Sequence, residues 1–554
     1  MDSNGIVESR TNGNELKICG SCLRCIRRLI PVGFKKEIIE LSTMAGPVIM
    51  AQLMVFLVSF VSTVFCGHLG KTELAGVALA IAVINVTGVS IGYGLSSACD
   101  TLISQTFGSR NLLQVGVIVQ RAILIQLLAC FPCWAVLINT EPILLAVKQS
   151  PEVARLSQVY VKIFMPALPA TFIYQLEARY LQNQGITWPQ VITGVMANVL
   201  NALINYIFLY VLDLGVAGSA WANTISQLFL AAMLYAYILW KELHKATWAG
   251  WSWECLEDWG TYIHLAIPSM IMLCVEWWTY EIGGFIAGLI SEVELGAQSV
   301  VFELASICYM FPLGFSVAGS VRVGNALGAG DTEQAKLSAK LAMFCAGSVS
   351  VCTAHMFVVQ QVPCLFLLFP KAASGSIIRG AGKQKVGAIC NILGYYGVGF
   401  PIGVSLMFAA KLGIMGLWTG LFTCVFLQSS FLIIYLSRMN WKKATVEVNT
   451  GITFKLNKDL IKNALSNRCF CVTDMAPEAH SNDSAPCEGH KDRNALAEDG
   501  AEADGEAGDR VALSKVEELL AHRALIMRRG LAMCVMLFIL ALGIIINLLL
   551  TNLT

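Results

Sequence analysis

VAGSVRVGNALGAGD at residues 317–331 follows, 220 positions later, the pattern of SACDTLISQTFGSRN at residues 97–111. In both stretches a side-chain amide precedes a glycine by three positions, in the pairs Gln105 with Gly108 and Asn325 with Gly328. A pattern that returns once at a large offset is the signature of a chain built from two copies of one structural unit. The stretch therefore predicts a fold of two similar lobes.

The similarity extends in both directions from this stretch. Further matches are GHLGKTELAG (67–76) with GLISEVELGA (288–297), DLGVAG (213–218) with KLGIMG (411–416), and Pro47 with Pro268. Parallel repeats of this kind occur in membrane transporters, whose binding site lies between the two lobes near the midplane of the bilayer. We therefore expect the functional site of this chain at the interface between its lobes.

The composition is that of a membrane protein. The chain has 554 residues, of which 56% are hydrophobic and 14% charged, and its mean hydropathy is +0.65. A soluble domain carries a larger charged fraction. The formal net charge of +1 leaves no basic footprint for nucleic acid. Because no phosphate-binding glycine loop is present, and Cys19, Cys22 and Cys25 lack a fourth zinc ligand, we predict no enzyme, cofactor or metal.

About 20 apolar residues are needed to cross a bilayer as a helix. Twelve runs meet this criterion: 38–66, 74–98, 115–138, 157–178, 189–211, 217–240, 262–288, 295–320, 341–369, 387–410, 413–437 and 530–551. The predicted fold class is an all-α polytopic membrane protein. It has two pseudo-symmetric helical lobes, of six and of five or six spans, and one extra C-terminal span.

Charge and polarity divide the chain into five segments. Lysine and arginine in short loops favour the cytosolic side, which predicts a cytosolic N-terminus. A polar stretch that includes EDGAEADGEAGD at 498–509 is too hydrophilic to bury a core. The predicted segments are a cytosolic N-terminal segment (1–36), a first lobe (37–247), a second lobe (248–440), a disordered cytosolic linker (441–527) and a C-terminal transmembrane helix (528–554).

The second copy is shorter than the first. Gly108 and Gly185 are 77 residues apart, whereas the matching Gly328 and Gly382 are 54 residues apart. The difference of 23 residues is about the length of one transmembrane helix. We therefore predict that one helix is missing from the second lobe, near residues 363–377.

The distribution of basic residues agrees with this shortfall. If 341–369 crosses the membrane once, Arg379, Lys383 and Lys385 lie outside the cell, against the positive-inside tendency. One restored crossing removes the conflict. The alternative is that 341–371, interrupted at Pro363, forms a re-entrant pair of short segments.

Four motifs together resemble the multidrug and toxin extrusion family. They are ISQTFGSRN (103–111), RVGNALGAGD (322–331), RGAGKQKVGA (379–388) and YGVGFPIG (396–403). The resemblance covers about residues 37–437, and the polar tail with an extra span is similar to the vertebrate branch. It implies secondary active export of organic cations and xenobiotics in exchange for protons. It also implies an apical position in the plasma membrane.

The resemblance also implies site residues in the second lobe. Glu276 and Glu281 match family glutamates through the stretch CVEWWTYEIGGF (274–285), and Glu303 matches through VFELASI (301–307). A further family glutamate, with a nearby histidine, lies in the fourth helix of this lobe. That part of the family pattern has no counterpart in this chain.

Physical chemistry supports a special role for Glu276. An ionised carboxylate near the bilayer centre costs about 3 kcal/mol, so it faces a wet cavity, pairs with a cation or takes a proton. A group that holds either a proton or a cationic substrate is the minimum device for their exchange. Tyr280 shares a helix face with Glu276, whereas Glu281 lies about 140° around the helix. We expect Glu276 to be the central group and Glu281 to face another part of the cavity or the lobe interior.

Aromatic and amide side chains complete the predicted cavity. Aromatic faces attract organic cations, which makes Trp277, Tyr280 and Tyr309 candidates. Polar residues predicted to line the first lobe are Gln52, Asn85 and Gln175. In the first copy of the repeat, the residue that corresponds to Glu276 is Val55. We therefore expect the proton site in the second lobe. Glu177 and Arg179 predict a local pair at the membrane interface.

Two other functions remain open from the sequence. The 23-residue shortfall is compatible with a truncated isoform that inserts into the membrane without transporting. A lipid flippase of the same superfamily is the third reading, but it requires intramembrane arginine or lysine in the cavity, where this sequence indicates acids. The expected partners are small organic cations, protons and the lipid bilayer, and the oligomeric state stays open.

Overall fold

The computed structural model describes residues 34–288, 290, 292–358, 368–453 and 499–553. Within these ranges every regular element is a helix and no strand occurs, which confirms the all-α fold class. The three N-terminal cysteines and most of the predicted segment 1–36 lie outside the described residues. So does the central part of the predicted linker, residues 454–498.

The first lobe contains α1 (Phe34–Gly67), α2 (Lys71–Gly108), α3 (Leu112–Ile138), α4 (Thr140–Ala146), α5 (Pro151–Phe164), α6 (Ala167–Asn183), α7 (Trp188–Val211) and α8 (Gly215–Trp240). The second lobe contains α9 (Trp259–Gly288), α10 (Glu292–Gly328), α11 (Thr332–Val358), α12 (Leu368–Gly380), α13 (Gln384–Phe408) and α14 (Gly413–Arg438). A helix at 441–453, α15, and the long α16 (Asp499–Leu553) follow.

Most of these helices are long and apolar enough to cross a membrane. Nine such spans occur in the described part of the chain, and a tenth is obtained if α5 and α6, bent by 57° against each other, count as one. The predicted runs 262–288 and 341–369 correspond to α9 and α11, which are not among the ten. They belong to the bundle nevertheless, because α9 packs against α2 and α13, and α11 packs against α10.

The two lobes differ where the sequence indicated a shortfall. In the first lobe α5 and α6 form one bent span, and Gly185 after α6 has a φ of 80°. In the second lobe Gly382, with a φ of 74°, follows the 13-residue α12. The described residues thus contain a counterpart of α6, but none of α4 and α5. Residues 363–367 of the predicted gap lie outside the described ranges.

The lobes approach each other backbone to backbone at one end of the bundle, which we call the closed end. A Cβ atom on Gly108 would overlap the carbonyl oxygen of Asn325, and one on Gly328 would overlap that of Gln105. Hydrogen bonds reinforce this contact, since Gln105 Nε2 donates to the Gly380 carbonyl at 3.1 Å. The amide-and-glycine motif therefore places the two lobes backbone to backbone in a reciprocal contact. Because α1 begins and α12 ends here, Arg379 lies at the same end as Glu37.

The segment after the second lobe is partly helical, although the sequence predicted a disordered linker from residue 441. Helix α15 begins after Asn440, whose Oδ1 accepts the Lys443 backbone N–H at 3.0 Å. It packs against the second lobe, with the Thr445 and Thr332 hydroxyls 2.8 Å apart and Lys383 Nζ 2.6 Å from Glu447 Oε2. Capping and these contacts give this stretch the stability that its composition alone does not indicate.

The extra C-terminal span packs on the first lobe. Asn139 Nδ2 donates to the Gly543 carbonyl at 2.9 Å, and Asn547 Nδ2 donates to the Ile138 carbonyl at 3.0 Å. Near the other end of this span, the Arg529 guanidinium lies 4.3 Å from the ring centroid of Trp259. These contacts join α16 to α3 and to the start of α9. Helix α16 also includes residues 499–527 of the predicted linker.

Candidate functional site

A cavity of about 420 Å³ lies between the two lobes. Its walls come from α1, α2, α5, α6, α7 and α8 of the first lobe and from α9, α10, α12, α13 and α14 of the second lobe. All eight predicted site residues line it: Glu276, Glu281, Glu303, Trp277, Tyr280, Tyr309, Gln52 and Asn85. The structure therefore brings the residues singled out in the two lobes around one common space.

Glu276 lies in α9 and is buried, with 7% of its surface exposed. Its carboxylate Oε2 is 2.8 Å from the ammonium group of Lys371 in α12. The same ammonium donates to the Tyr395 hydroxyl at 2.6 Å and lies 4.5 Å from the centroid of that ring. A buried carboxylate is thus neutralised by a buried lysine that is distant in sequence, which the sequence analysis missed.

The other two acids have different surroundings. Glu281 is partly buried and Glu303 is exposed, and both face the cavity. In the described part of the chain no lysine or arginine nitrogen lies within 4 Å of either carboxylate. Although Glu281 lies around the helix from Glu276, both carboxylates line the same cavity. The cavity wall therefore carries one paired acid and two acids without a cationic partner.

Two aromatic residues of α9 lie close to Glu276 along the helix: Trp277 is the next residue, and Tyr280 lies one turn further on. Tyr280 contacts Phe302, Tyr395 and Trp418, with ring centroids 5.8, 6.5 and 6.1 Å away. Trp277 packs against Tyr93 of the first lobe, with centroids 5.9 Å apart. Ring pairs at these distances are attractive. The aromatics that were candidates for cation binding therefore also hold α9 in position and bridge the lobes.

Gly283 belongs to the helix contact rather than to the cavity wall. A Cβ atom at this position would lie 3.0 Å from the Leu417 side chain of α14. Because Gly283 has no side chain, α9 and α14 can approach each other closely at this point.

The first lobe contributes a second buried ion pair. Arg179 Nη1 of α6 is 3.3 Å from Asp100 Oδ2 of α2, and both side chains are buried. The guanidinium also lies 4.7 Å from the centroid of Tyr93. The predicted interfacial pair of Glu177 and Arg179 is wrong, because side chains two positions apart on a helix point in different directions. Arg179 instead lines the cavity and connects two helices.

Comparison with known proteins agrees with the fold and with the repeat. The MatE family model matches residues 47–207 and 268–362. "Multidrug and toxin extrusion protein 1" of Danio rerio is 62% identical over 557 residues, covering 96% of this chain and 93% of the relative. The chain belongs to the MatE family. The protein of the same name in Homo sapiens is 55% identical over 466 residues, covering 80% of this chain and 81% of the relative.

Solved structures of MatE transporters have the same fold. The eukaryotic MATE transporter AtDTX14 superposes with a TM-score of 0.73 at 28% identity, covering 76% of this chain and all of that one. The outward-facing structure of a multidrug resistance MATE family transporter has a TM-score of 0.64 at 16% identity, covering 74% and 96%. This MatE chain is therefore a multi-pass membrane protein whose homologues are multidrug and toxin extrusion transporters.

The alignment with the Danio rerio relative also bears on the length of this MatE chain. It extends over 557 positions, more than the 554 residues of the chain, although it leaves 4% of the chain uncovered. That relative therefore contains residues without a counterpart here. The internal repeat independently predicts a shortfall of this kind near residues 363–377.

The sequence analysis of this MatE chain missed the positive charges of the cavity. Arg179, Lys371 and Arg379 all line it, which corrects the expectation that its intramembrane charges are acids. The absence of cavity cations is therefore no longer an argument against the flippase reading. The signal in the sequence is the single charged residue, Lys371, within LFPKAASGS (368–376).

Proposed function

We propose that this chain exports small organic cations and xenobiotics in exchange for protons across the plasma membrane. Its N-terminus lies in the cytosol and, in polarised cells, the protein lies on the apical side. The observation that carries the proposal is Glu276, a buried carboxylate in a cavity lined by both lobes. Its homologues are named for multidrug and toxin extrusion, which agrees with this class of cargo.

The exchange follows from competition at one carboxylate. A buried carboxylate without a counter-charge is costly, so Glu276 holds a proton or a cation in each state of the cycle. Entry of a proton releases the cation, and entry of a cation releases the proton. This coupling requires only that the two cannot be bound together.

The two lobes supply the second requirement, access from one side at a time. In the described conformation the lobes are in contact at the closed end through Gly108 and Gly328. Rocking of one repeat against the other is the usual movement of such transporters. We propose that opening this contact exposes the cavity to the cytosol and that closing it directs the cavity outward.

The proposal is tested by exchange in proteoliposomes that contain the full chain. With an acidic interior, external radiolabelled tetraethylammonium should accumulate, and collapse of the proton gradient should abolish accumulation. Glu276→Gln should reduce accumulation to that of empty liposomes, because the amide holds neither a proton nor a cation by charge.

A matched control is Glu333→Gln. Glu333 is an exposed carboxylate at the start of α11, and it pairs with Lys336 on the same helix. This variant should accumulate tetraethylammonium at the rate of the unmodified chain. Gradient-driven accumulation that persists in Glu276→Gln would contradict the role of Glu276.

A second candidate function is that of a membrane-inserted isoform without transport activity. It is favoured by the spacing of the repeat, in which Gly328 and Gly382 are 54 residues apart where Gly108 and Gly185 are 77 residues apart. The test inserts a 23-residue helical segment directly before Leu368. Exchange by the insertion variant alone would support the non-transporting reading, whereas equal exchange by both forms would exclude it.

A further inference from the structure

We propose that Lys371 is a specificity-determining residue, a cation built into the chain that occupies the Glu276 carboxylate and must be displaced before a cationic substrate binds there. The inference deepens the proposed function and depends on its cation site. The inference identifies the cation that pairs with Glu276 when no substrate is bound in the cavity.

The first step is the geometry of the pair. Lys371 Nζ is 2.8 Å from Glu276 Oε2, and the two side chains are 5% and 9% exposed. A charge-assisted hydrogen bond of this length between desolvated groups is strong. An incoming organic cation therefore competes with an ammonium group that already has the optimal distance.

The second step is that neither Glu276 nor Lys371 has a residue of the same type at the corresponding position in the first copy of the repeat. Val55 stands where Glu276 has its counterpart in the first copy. Lys371 precedes Gly382 by the same eleven positions by which Tyr174 precedes Gly185. The first lobe thus contains neither the acid nor the lysine at these places. The pair is a feature of the second lobe alone, and it joins the predicted site to α12.

The third step is that this ammonium group can leave without unfolding the helix. Lysine carries its charge on a flexible four-carbon stem, and Lys371 lines the cavity of about 420 Å³. Tyr395 holds the ammonium from a second side through its hydroxyl group. Reorientation of the stem toward Tyr395 and the cavity would free Glu276 for a substrate cation.

The test is equilibrium binding of radiolabelled tetraethylammonium to the full chain in nanodiscs, without any gradient. A cation close to a carboxylate lowers its affinity for a proton by about tenfold or more, and we expect the same charge to oppose an organic cation to a similar extent. Lys371→Met should therefore bind tetraethylammonium at least about tenfold more tightly than the unmodified chain. Lys371→Arg should stay within about twofold, because it keeps the counter-charge.

A double-mutant cycle separates this role from a structural one. In the Glu276→Gln background, Lys371→Met should not restore the tight tetraethylammonium binding that it produces when Glu276 is present. Equal affinity of Lys371→Met and the unmodified chain would overturn the proposal. Because binding is measured without a gradient, missing exchange in liposomes contradicts the proposed function and leaves this result intact.

A second measurement uses the unmodified chain, so it does not depend on the folding of a variant. Acetic anhydride labels free amines, and peptide mass spectrometry quantifies the label on Lys371. Labelling of Lys371 should rise with the tetraethylammonium concentration, while that of the surface residue Lys336 should stay constant. Labelling of Lys371 that does not respond to tetraethylammonium would overturn the displacement.

Discussion

Replacing Arg322 by methionine should open the closed end of the bundle. Arg322 lies in α10 of the second lobe, and its guanidinium binds the carboxylates of Glu37 and Glu40 in α1 of the first lobe. Glu37 is buried and also accepts hydrogen bonds from Gln334 Nε2 at 2.6 Å and from the Ser338 hydroxyl at 2.5 Å. The substitution removes the only arginine or lysine paired with Glu37 among the described residues.

The expected loss of free energy from the contact between Arg322 and Glu37 depends on how exposed the two side chains are. Breaking a fully buried ion pair costs about 3–5 kcal/mol, but the Arg322 side chain is 27% exposed and water replaces part of the loss. Hydrogen bonds to charged groups contribute about 1.5–3 kcal/mol, so we expect a loss of about 2 kcal/mol. This corresponds to a population of the open state that is about thirtyfold larger.

Hydrogen–deuterium exchange of the full chain in nanodiscs measures this change. Peptides from the first turns of α1 and the last turns of α10 should lose about thirtyfold protection in Arg322→Met. Lys336→Met is the matched control, because it removes a pair between residues of the same helix whose partner Glu333 is 78% exposed. Protection in Arg322→Met equal to that in the control would refute the reasoning.

Two further predictions concern stability, measured as Tm of the purified chain. Gly328→Ala should cost about 1–3 kcal/mol through overlap with the Gln105 backbone. Gly347→Ala, with no atom within 4 Å of the new Cβ, should leave Tm unchanged or higher, and a fall of the same size in both would exclude the overlap as the cause. Arg179→Met should cost about 3–5 kcal/mol by leaving Asp100 buried without its partner. The added substitution Asp100→Asn should recover much of that loss, and no recovery would contradict the pairing.

Local chemistry was sufficient to predict the architecture. Apolar runs of about 20 residues predict helices that cross a membrane, because an unpaired backbone group is too costly in lipid. The repeat predicted two lobes and, through the spacing of four glycines, the place of the shortfall. It also singled out the amide-and-glycine motif that brings Gly108 and Gly328 to the contact between the lobes.

The sequence also determined which acids are candidates for the site, since a glutamate within an apolar run stands out from its neighbours. Only the tertiary structure decided what those acids contact. Glu276 and Lys371 are 95 positions apart, and their pairing depends on where α12 packs relative to α9. Asp100 and Arg179 likewise meet because α2 and α6, which are distant in sequence, pack together. Hydropathy and periodicity describe each helix by itself, whereas the partner of a buried charge depends on how helices distant in sequence pack together.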